Sequence, residues 1–211
     1  MSRTIIFGAG GRAGRAALGE ARRRGHRVTA VVRDPAAHRH LEAEGVDLAA
    51  GDVTDAGSVG RLARGHDAAV VAVYDPAAVP GEFYPATARA LLAALPPAGV
   101  RRLVVVGLAS LLETAGGTPL MDAPGFPQEY RAFVLGHAAG VEVLREAGAA
   151  PDWLVVSPSG DFDHDAPRTG RYVTGPGDPA ARISYGDLAV AVLDEIEAPA
   201  HHRTHIGVRS S

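Results

Sequence analysis

The chain has 211 residues, 46% of them hydrophobic, which is enough for one well-packed core and short for two. Its 21 basic and 24 acidic residues leave a formal charge of -3, so there is no basic footprint for nucleic acid, and with no cysteine there can be no disulfide, thiolate ligand or thiol nucleophile. No apolar run approaches the roughly 20 residues of a membrane span, and Met1-Ser2-Arg3 leads into a strand-like run without a signal-peptide core, so a cytoplasmic protein without a membrane partner is expected.

Strand-like and helix-like segments alternate along the chain, which predicts an α/β fold: one Rossmann-type, doubly wound, mainly parallel sheet with helices on both faces. Thr4–Phe7 reads as the first strand and Arg12–Arg24 as a helix stopped by Gly25. Val28–Val32 is continuously apolar, as a strand buried on both faces must be. A helix around Pro35–Glu44, a strand at Val46–Ala49, a helix over Ser58–Arg64 and a strand at Ala68–Val73 follow. Next come a helix over Tyr84–Leu95 and a strand at Leu103–Val106. A proline-rich loop then leads to a helix over Glu129–Glu146 and a strand at Trp153–Val156. In the Gly/Pro/Asp-rich stretch beyond, Arg171–Thr174 and Ala181–Ser184 are expected to form a small hairpin. A helix over Gly186–Glu195 and a strand at Thr204–Val208 end the pattern. No repeat or linker divides residues 1–211, so one domain is expected, with a small substrate-side portion around 157–185.

Gly8-Ala9-Gly10-Gly11-Arg12-Ala13-Gly14 lies between the first strand and the first helix, where a dinucleotide needs it. Glycines there permit positive φ and let the backbone approach a pyrophosphate resting on the helix N-terminus. The second strand ends in Arg33, where a site selective for NAD tends to place an acid for the ribose 2′-hydroxyl. A guanidinium suits a 2′-phosphate, so NADP(H) is favoured; Asp34 is the alternative ribose ligand and keeps NAD(H) open. Arg12 offers a second phosphate contact. Asp52 and Val53, after the third strand, either bracket the adenine or simply form a turn. Ala72, Val73 and Tyr74 close the fourth strand at the carboxyl edge, where ligands bind in such sheets.

The turn, together with the segment Arg22–Arg33, resembles the opening of the atypical short-chain dehydrogenases/reductases. More specifically, it is similar to the NAD(P)H-binding, NmrA-like group that includes NADH-flavin reductases and biliverdin reductase B. The resemblance continues through Arg102–Val106 with Ser110, Phe126–Tyr130, Asp152–Pro158, Thr169–Tyr172 and Arg182–Ala189. It implies a cofactor-dependent oxidoreductase but leaves its substrate open. One departure matters. All 21 basic residues are arginine, and Tyr130 is followed four places on by Val134, so the Tyr-x-x-x-Lys dyad of most short-chain dehydrogenases is missing. That argues against carbonyl reduction through a tyrosinate and for a flat acceptor such as a flavin or quinone, whose reduction needs mainly positioning.

By the same resemblance Ser110 lies near the nicotinamide, with capping as its other reading. Tyr130 and His137 are seven apart and share a face if the helix begins early enough; His137 is either a proton donor or a surface residue. These three are the candidate catalytic residues. Backbone N–H groups of the Ser157-Pro158 segment are expected at the nicotinamide end, and Phe162 either walls an acceptor pocket or packs in the core. The Asp161/Asp163/His164/Asp165 and His201/His202/His205 groupings are read as solvated polar residues, so no metal is expected. Monomer and homodimer stay open. The rival functions are a non-catalytic NADP sensor of the NmrA-like kind and a tailoring reductase or isomerase of a biosynthetic pathway.

Overall fold

Residues 2–211 are described by a computed structural model. Its strands are β1 (Arg3–Phe7), β2 (Arg27–Val32), β3 (Val46–Ala50), β4 (Ala68–Val71), β5 (Arg102–Val106), β6 (Asp152–Pro158), β7 (Asp161–Asp163), β8 (Val173–Gly175), β9 (Arg182–Ser184) and β10 (Thr204–Arg209). Its helices are α1 (Arg12–Arg23), α2 (Ala56–Ala63), α3 (Pro80–Ala94), α4 (Arg131–Arg145) and α5 (Tyr185–Glu197). Eight strands form one sheet in the order β3-β2-β1-β4-β5-β6-β10-β8, parallel except for β8 against β10. This is the doubly wound arrangement expected from the sequence.

Strand side chains alternate between two apolar layers, the consequence of a two-residue period. Ile6, Leu154 and Val156 pack with Ala17, Leu18, Leu188 and Val192 of α1 and α5. Ile5, Phe7, Trp153 and Val155 pack with Val59, Leu91, Leu95 and Val141 on the side of α2, α3 and α4. Covering both faces is what makes parallel strands read as continuous apolar runs. The order in which strands are added reverses at β1, which lies between β2 and β4, so the connections leaving β1 and its neighbours run to opposite sides and open a crevice at the strands' carboxyl ends.

Several local expectations need correction. The segment read as a helix around Pro35–Glu44 is a pair of 3₁₀ turns over Ala36–Leu41, broken at His38, where φ is -125°. The Asp34 carboxylate accepts the Ala36 N–H at 2.9 Å, a local bond that competes with helix formation. β4 leaves the ladder after Val71, and α3 starts at Pro80, four residues before the expected boundary, because proline suits the first helical turn. α4 starts only at Arg131, after a separate 3₁₀ turn over Gln128–Tyr130.

The expected hairpin does not form. β8 instead adds antiparallel to β10, with Gly175 opposite Gly207, and β9 pairs parallel with β7, with Phe162 opposite Ile183. Asp187 holds the intervening loop: its buried carboxylate accepts the N–H groups of Thr169 (2.8 Å) and Gly170 (2.7 Å) and the Thr169 hydroxyl (2.9 Å). Among the described residues, no helix is long and apolar enough to cross a membrane.

Candidate dinucleotide-binding site

The turn between β1 and α1 divides its glycines between two tasks. Gly8 has φ +80°, and a Cβ there would lie 2.2 Å from the Ala72 carbonyl oxygen. A Cβ on Gly14 would lie 2.1 Å from the Gly8 carbonyl oxygen. These two are needed by the protein's own packing. A Cβ on Gly11 would meet nothing nearer than 3.5 Å, so that side of the turn is open. Gly11 is also the N-cap of α1, no side chain caps the helix, and no acid stands in its first turn. The first intrahelical bond at this end runs from Arg15 N–H to Gly11 C=O at 2.9 Å, leaving the amides of Arg12, Ala13 and Gly14 ahead of it. A helix end with free N–H groups, a positive dipole and an open approach fits a pyrophosphate.

From this turn a cleft of about 440 Å³ runs over the carboxyl ends of β2, β3 and β4. It brings Gly8, Gly10, Gly11, Arg33, Asp52, Val53, Val73 and Tyr74 together, as the sequence reading expects. Asp52 is a turn former, its Oδ1 accepting the Thr54 N–H (2.8 Å) and hydroxyl (2.7 Å), and the residue also lines the cleft. Ala72 and Gly14 support the turn from outside the cleft. Ala13 follows Arg12 in the first turn of α1, with its amide at the open helix end. The Arg12 guanidinium points away, donating to His164 Nδ1 at 3.1 Å.

Two further charged or titratable residues of the cleft, Asp75 and His38, are not singled out by the sequence. Asp75, after β4, pairs with Arg33 across 42 positions of sequence, joining the end of β2 to the loop before α3. The Ala77 amide, and then Arg33, hold the Asp75 carboxyl below the ordinary carboxylate range. The other is His38, whose ring is turned over Gly10 by the break between the 3₁₀ turns.

At the other end of the expected site the structure redistributes the candidates. Ser110 sits half-buried in the 3₁₀ turn Ala109–Leu111, just beyond β5. Tyr130 is 57% exposed, in the turn ahead of α4. His137 lies within α4, its ring centroid 3.5 Å from that of Tyr84 and 4.8 Å from that of Phe133. Burial lowers its pKa to about 3, so the imidazole is neutral near pH 7 and does not offer the proton expected of it. Tyr130, in its exposed turn, stands outside the Tyr84–Phe133–His137 stack, so the expected Tyr130–His137 pair is not assembled.

Ser157 and Pro158 also need correction. β6 runs through Pro158 because β10 pairs along it, so the segment is sheet rather than loop. The Ser157 hydroxyl, 0% exposed, hydrogen-bonds His205 Nε2 at 2.7 Å, and the Ser159 N–H donates to Val208 C=O at 2.7 Å. Phe162 packs, stacking on Tyr185 with centroids 4.0 Å apart. The three C-terminal histidines are drawn to different partners: His201 to Glu195, His202 to Asp152 and His205 to Ser157.

With this geometry in place, the likenesses to known proteins are informative. Residues 8–199 match the NAD(P)H-binding family. The uncharacterized protein YwnB of Bacillus subtilis is 36% identical over 97% of both chains. A Bacteroides thetaiotaomicron structure provisionally described as an epimerase has a TM-score of 0.86 at 30% identity, covering 99% of this chain and 97% of its own. A Streptococcus pneumoniae structure provisionally described as an NADH-flavin reductase has a TM-score of 0.78 at 26% identity, covering 100% of both chains. The chain belongs to the NAD(P)H-binding family.

Proposed function

We propose that this protein is an NAD(P)H-dependent reductase whose acceptor is a flavin or a similarly flat quinone-like molecule, with NADP(H) preferred. The nicotinamide, when bound, supplies two electrons as hydride. The α1 amides and Gly11 hold the pyrophosphate, Val53 and Asp52 flank the adenine, and Arg33 leaves Asp75 to meet the 2′-phosphate.

The observation that carries the reading is the missing tyrosine–lysine dyad: Tyr130 stands exposed ahead of α4, and the chain has no lysine to pair with it. Tyr130 has buried Val134 where a lysine would stand, and His137 is neutral and packed. Acceptors whose reduction needs positioning more than acid–base catalysis suit such a site. The likeness to the NADH-flavin reductase points the same way.

NADPH oxidation with FMN, riboflavin and simple quinones tests the proposal; turnover with at least one is expected. The exposed apolar side chains Tyr74, Val79, Tyr130 and Leu135 favour, as a second reading, a regulator that binds dinucleotide and a protein partner. Tight NADPH binding without oxidation by any acceptor would select that reading.

A further inference from the structure

A second, smaller cavity lies between α3, α4 and the sheet. The two helices meet through glycine: a Cβ on Gly136 would lie 2.5 Å from the Pro80 carbonyl carbon, and one on Gly140 would lie 3.0 Å from Tyr84 Cβ. With Thr87 and Ala88 of α3 and Gly140 of α4 so small, about 40 Å³ stays open over Val105 and Val155 of the sheet. A single water needs only about 10–15 Å³. No charged side chain lines this cavity; its polar members are Thr87, Tyr84 and His137, the last kept neutral by burial. Thr87 is 5% exposed, and its Oγ1 has no hydrogen-bond partner in the protein. A buried hydroxyl left unpaired is destabilising, and a native protein that keeps one has a use for it. Val73 lines this cavity and the dinucleotide cleft alike, so the two adjoin. Gly107 and Leu111, just beyond β5, bring it to the carboxyl edge of the sheet.

We propose that this cavity seats the electron acceptor by a single oxygen-bearing ring of p-benzoquinone size, with the Thr87 hydroxyl donating to its carbonyl oxygen. The proposal rests on the reductase reading and narrows the acceptor from the flavin to the quinone class. Valine and leucine walls suit the faces of a ring, and a lining without charge offers nothing to a carboxylate or phosphate. The three fused rings of a flavin are too large for the space. A hydroxyl both donates and accepts, so Thr87 pairs with the carbonyl of the quinone and equally with the hydroxyl of the product. The step takes a hydride from the nicotinamide and one proton from solvent, converting quinone to hydroquinone and NADPH to NADP⁺.

Calorimetric titration of the NADP⁺-loaded chain with phenol and with benzene, the same ring without oxygen, tests this in the wild type, Thr87→Val and Ala88→Val. Thr87→Val keeps the shape and removes the hydroxyl, so phenol should bind about fivefold more weakly and benzene should change less than about twofold. Ala88→Val fills the cavity and should weaken both ligands at least about tenfold. NADPH affinity should stay within about twofold in both variants, since neither residue lines the cleft. The Tm of Thr87→Val should equal or exceed that of wild type, because an unpaired buried hydroxyl is lost. Phenol affinity that neither variant alters, or a clear fall in the Tm of Thr87→Val, would overturn the seat while oxidation of NADPH by quinones kept the reductase reading. Phenol binding that depends on Thr87, in a chain that oxidises NADPH with no acceptor, would overturn the acceptor role together with the reductase reading and leave a site for a neutral ring.

Discussion

Substituting Gly14 and Gly11 should separate folding from binding within a single turn. In Gly14→Ala the new methyl would lie 2.1 Å from the Gly8 carbonyl oxygen, 2.8 Å from its carbon and 2.9 Å from Ala9 Cα, all backbone atoms. Relief requires moving β1 away from α1, yet Gly8 is tied to β2 by its N–H bond to Val31 C=O at 3.1 Å. Overpacking of this kind costs about 1–3 kcal/mol, and for a chain of this size each kcal/mol lowers Tm by roughly 2–4 °C. Gly11→Val meets no protein atom nearer than 3.5 Å at Cβ, and its φ of -75° with ψ of 170° suits any residue. Its stability should fall by no more than about 1 kcal/mol, the loss expected at an N-cap. The side chain, however, would stand over the free amides of α1, so dinucleotide affinity should drop at least tenfold, about 1.4 kcal/mol. Thermal denaturation and fluorescence titration with NADPH read the two effects separately. A Gly11→Val protein with native Tm and native NADPH affinity would refute the assignment of the α1 N-terminus to the pyrophosphate. An unchanged Tm in Gly14→Ala would refute the packing argument.

Arg33→Ala should weaken NADPH about tenfold or more, the cost of a charged hydrogen bond, and leave NADH nearly unchanged; equal losses would remove Arg33 from the 2′-phosphate. Asp75→Asn should tighten NADPH about twofold to fivefold by releasing Arg33, within the range of an exposed ion pair, and weaker NADPH binding in that variant would reverse the assigned competition. Tyr130→Phe should lower turnover less than about tenfold, since no lysine stands beside the phenol to help it act as a base; a thousandfold loss in steady-state rate would restore tyrosine acid–base chemistry. Stability should fall as pH drops below about 6.5, because burial holds His137 at about 3 and His205 at about 4, so the unfolded chain binds the extra protons. Each of the two should remove about 2 kcal/mol between pH 6.5 and 5. Urea denaturation at both values checks this, with His137→Phe expected to lose less than wild type, and an identical loss counting against a neutral, buried His137.

The sheet, its helices and the phosphate turn were legible in the amino-acid sequence because each answers a local demand. Continuous apolar runs mark strands covered on both faces. Gly8 must take positive φ, and Gly8 and Gly14 must let a strand end and a helix start approach. Arg33, Asp52 and Val73 follow from strand ends, so their place in the cleft could be counted off once the strands were known. What the sequence could not carry were the contacts between residues distant along the chain. Arg33 meets Asp75 across 42 positions, and Ser157 meets His205 across 48, because strand order brings β2 toward β4 and β6 beside β10. The edge pairings of β8 and β9 were misread for the same reason, since a short polar strand can add to any free edge and only the packed sheet selects one. By its position His137 could be read either as a proton donor or as a surface residue; the stack with Tyr84 and Phe133 packs its ring and takes its charge away. His38 lies in a segment read as a helix, and a single non-helical residue between two 3₁₀ turns points its ring into the cleft. Local periodicity thus settled most of the strands and helices and the open glycine turn between β1 and α1. Long-range packing decided which side chains keep their charge and which ones face the cleft.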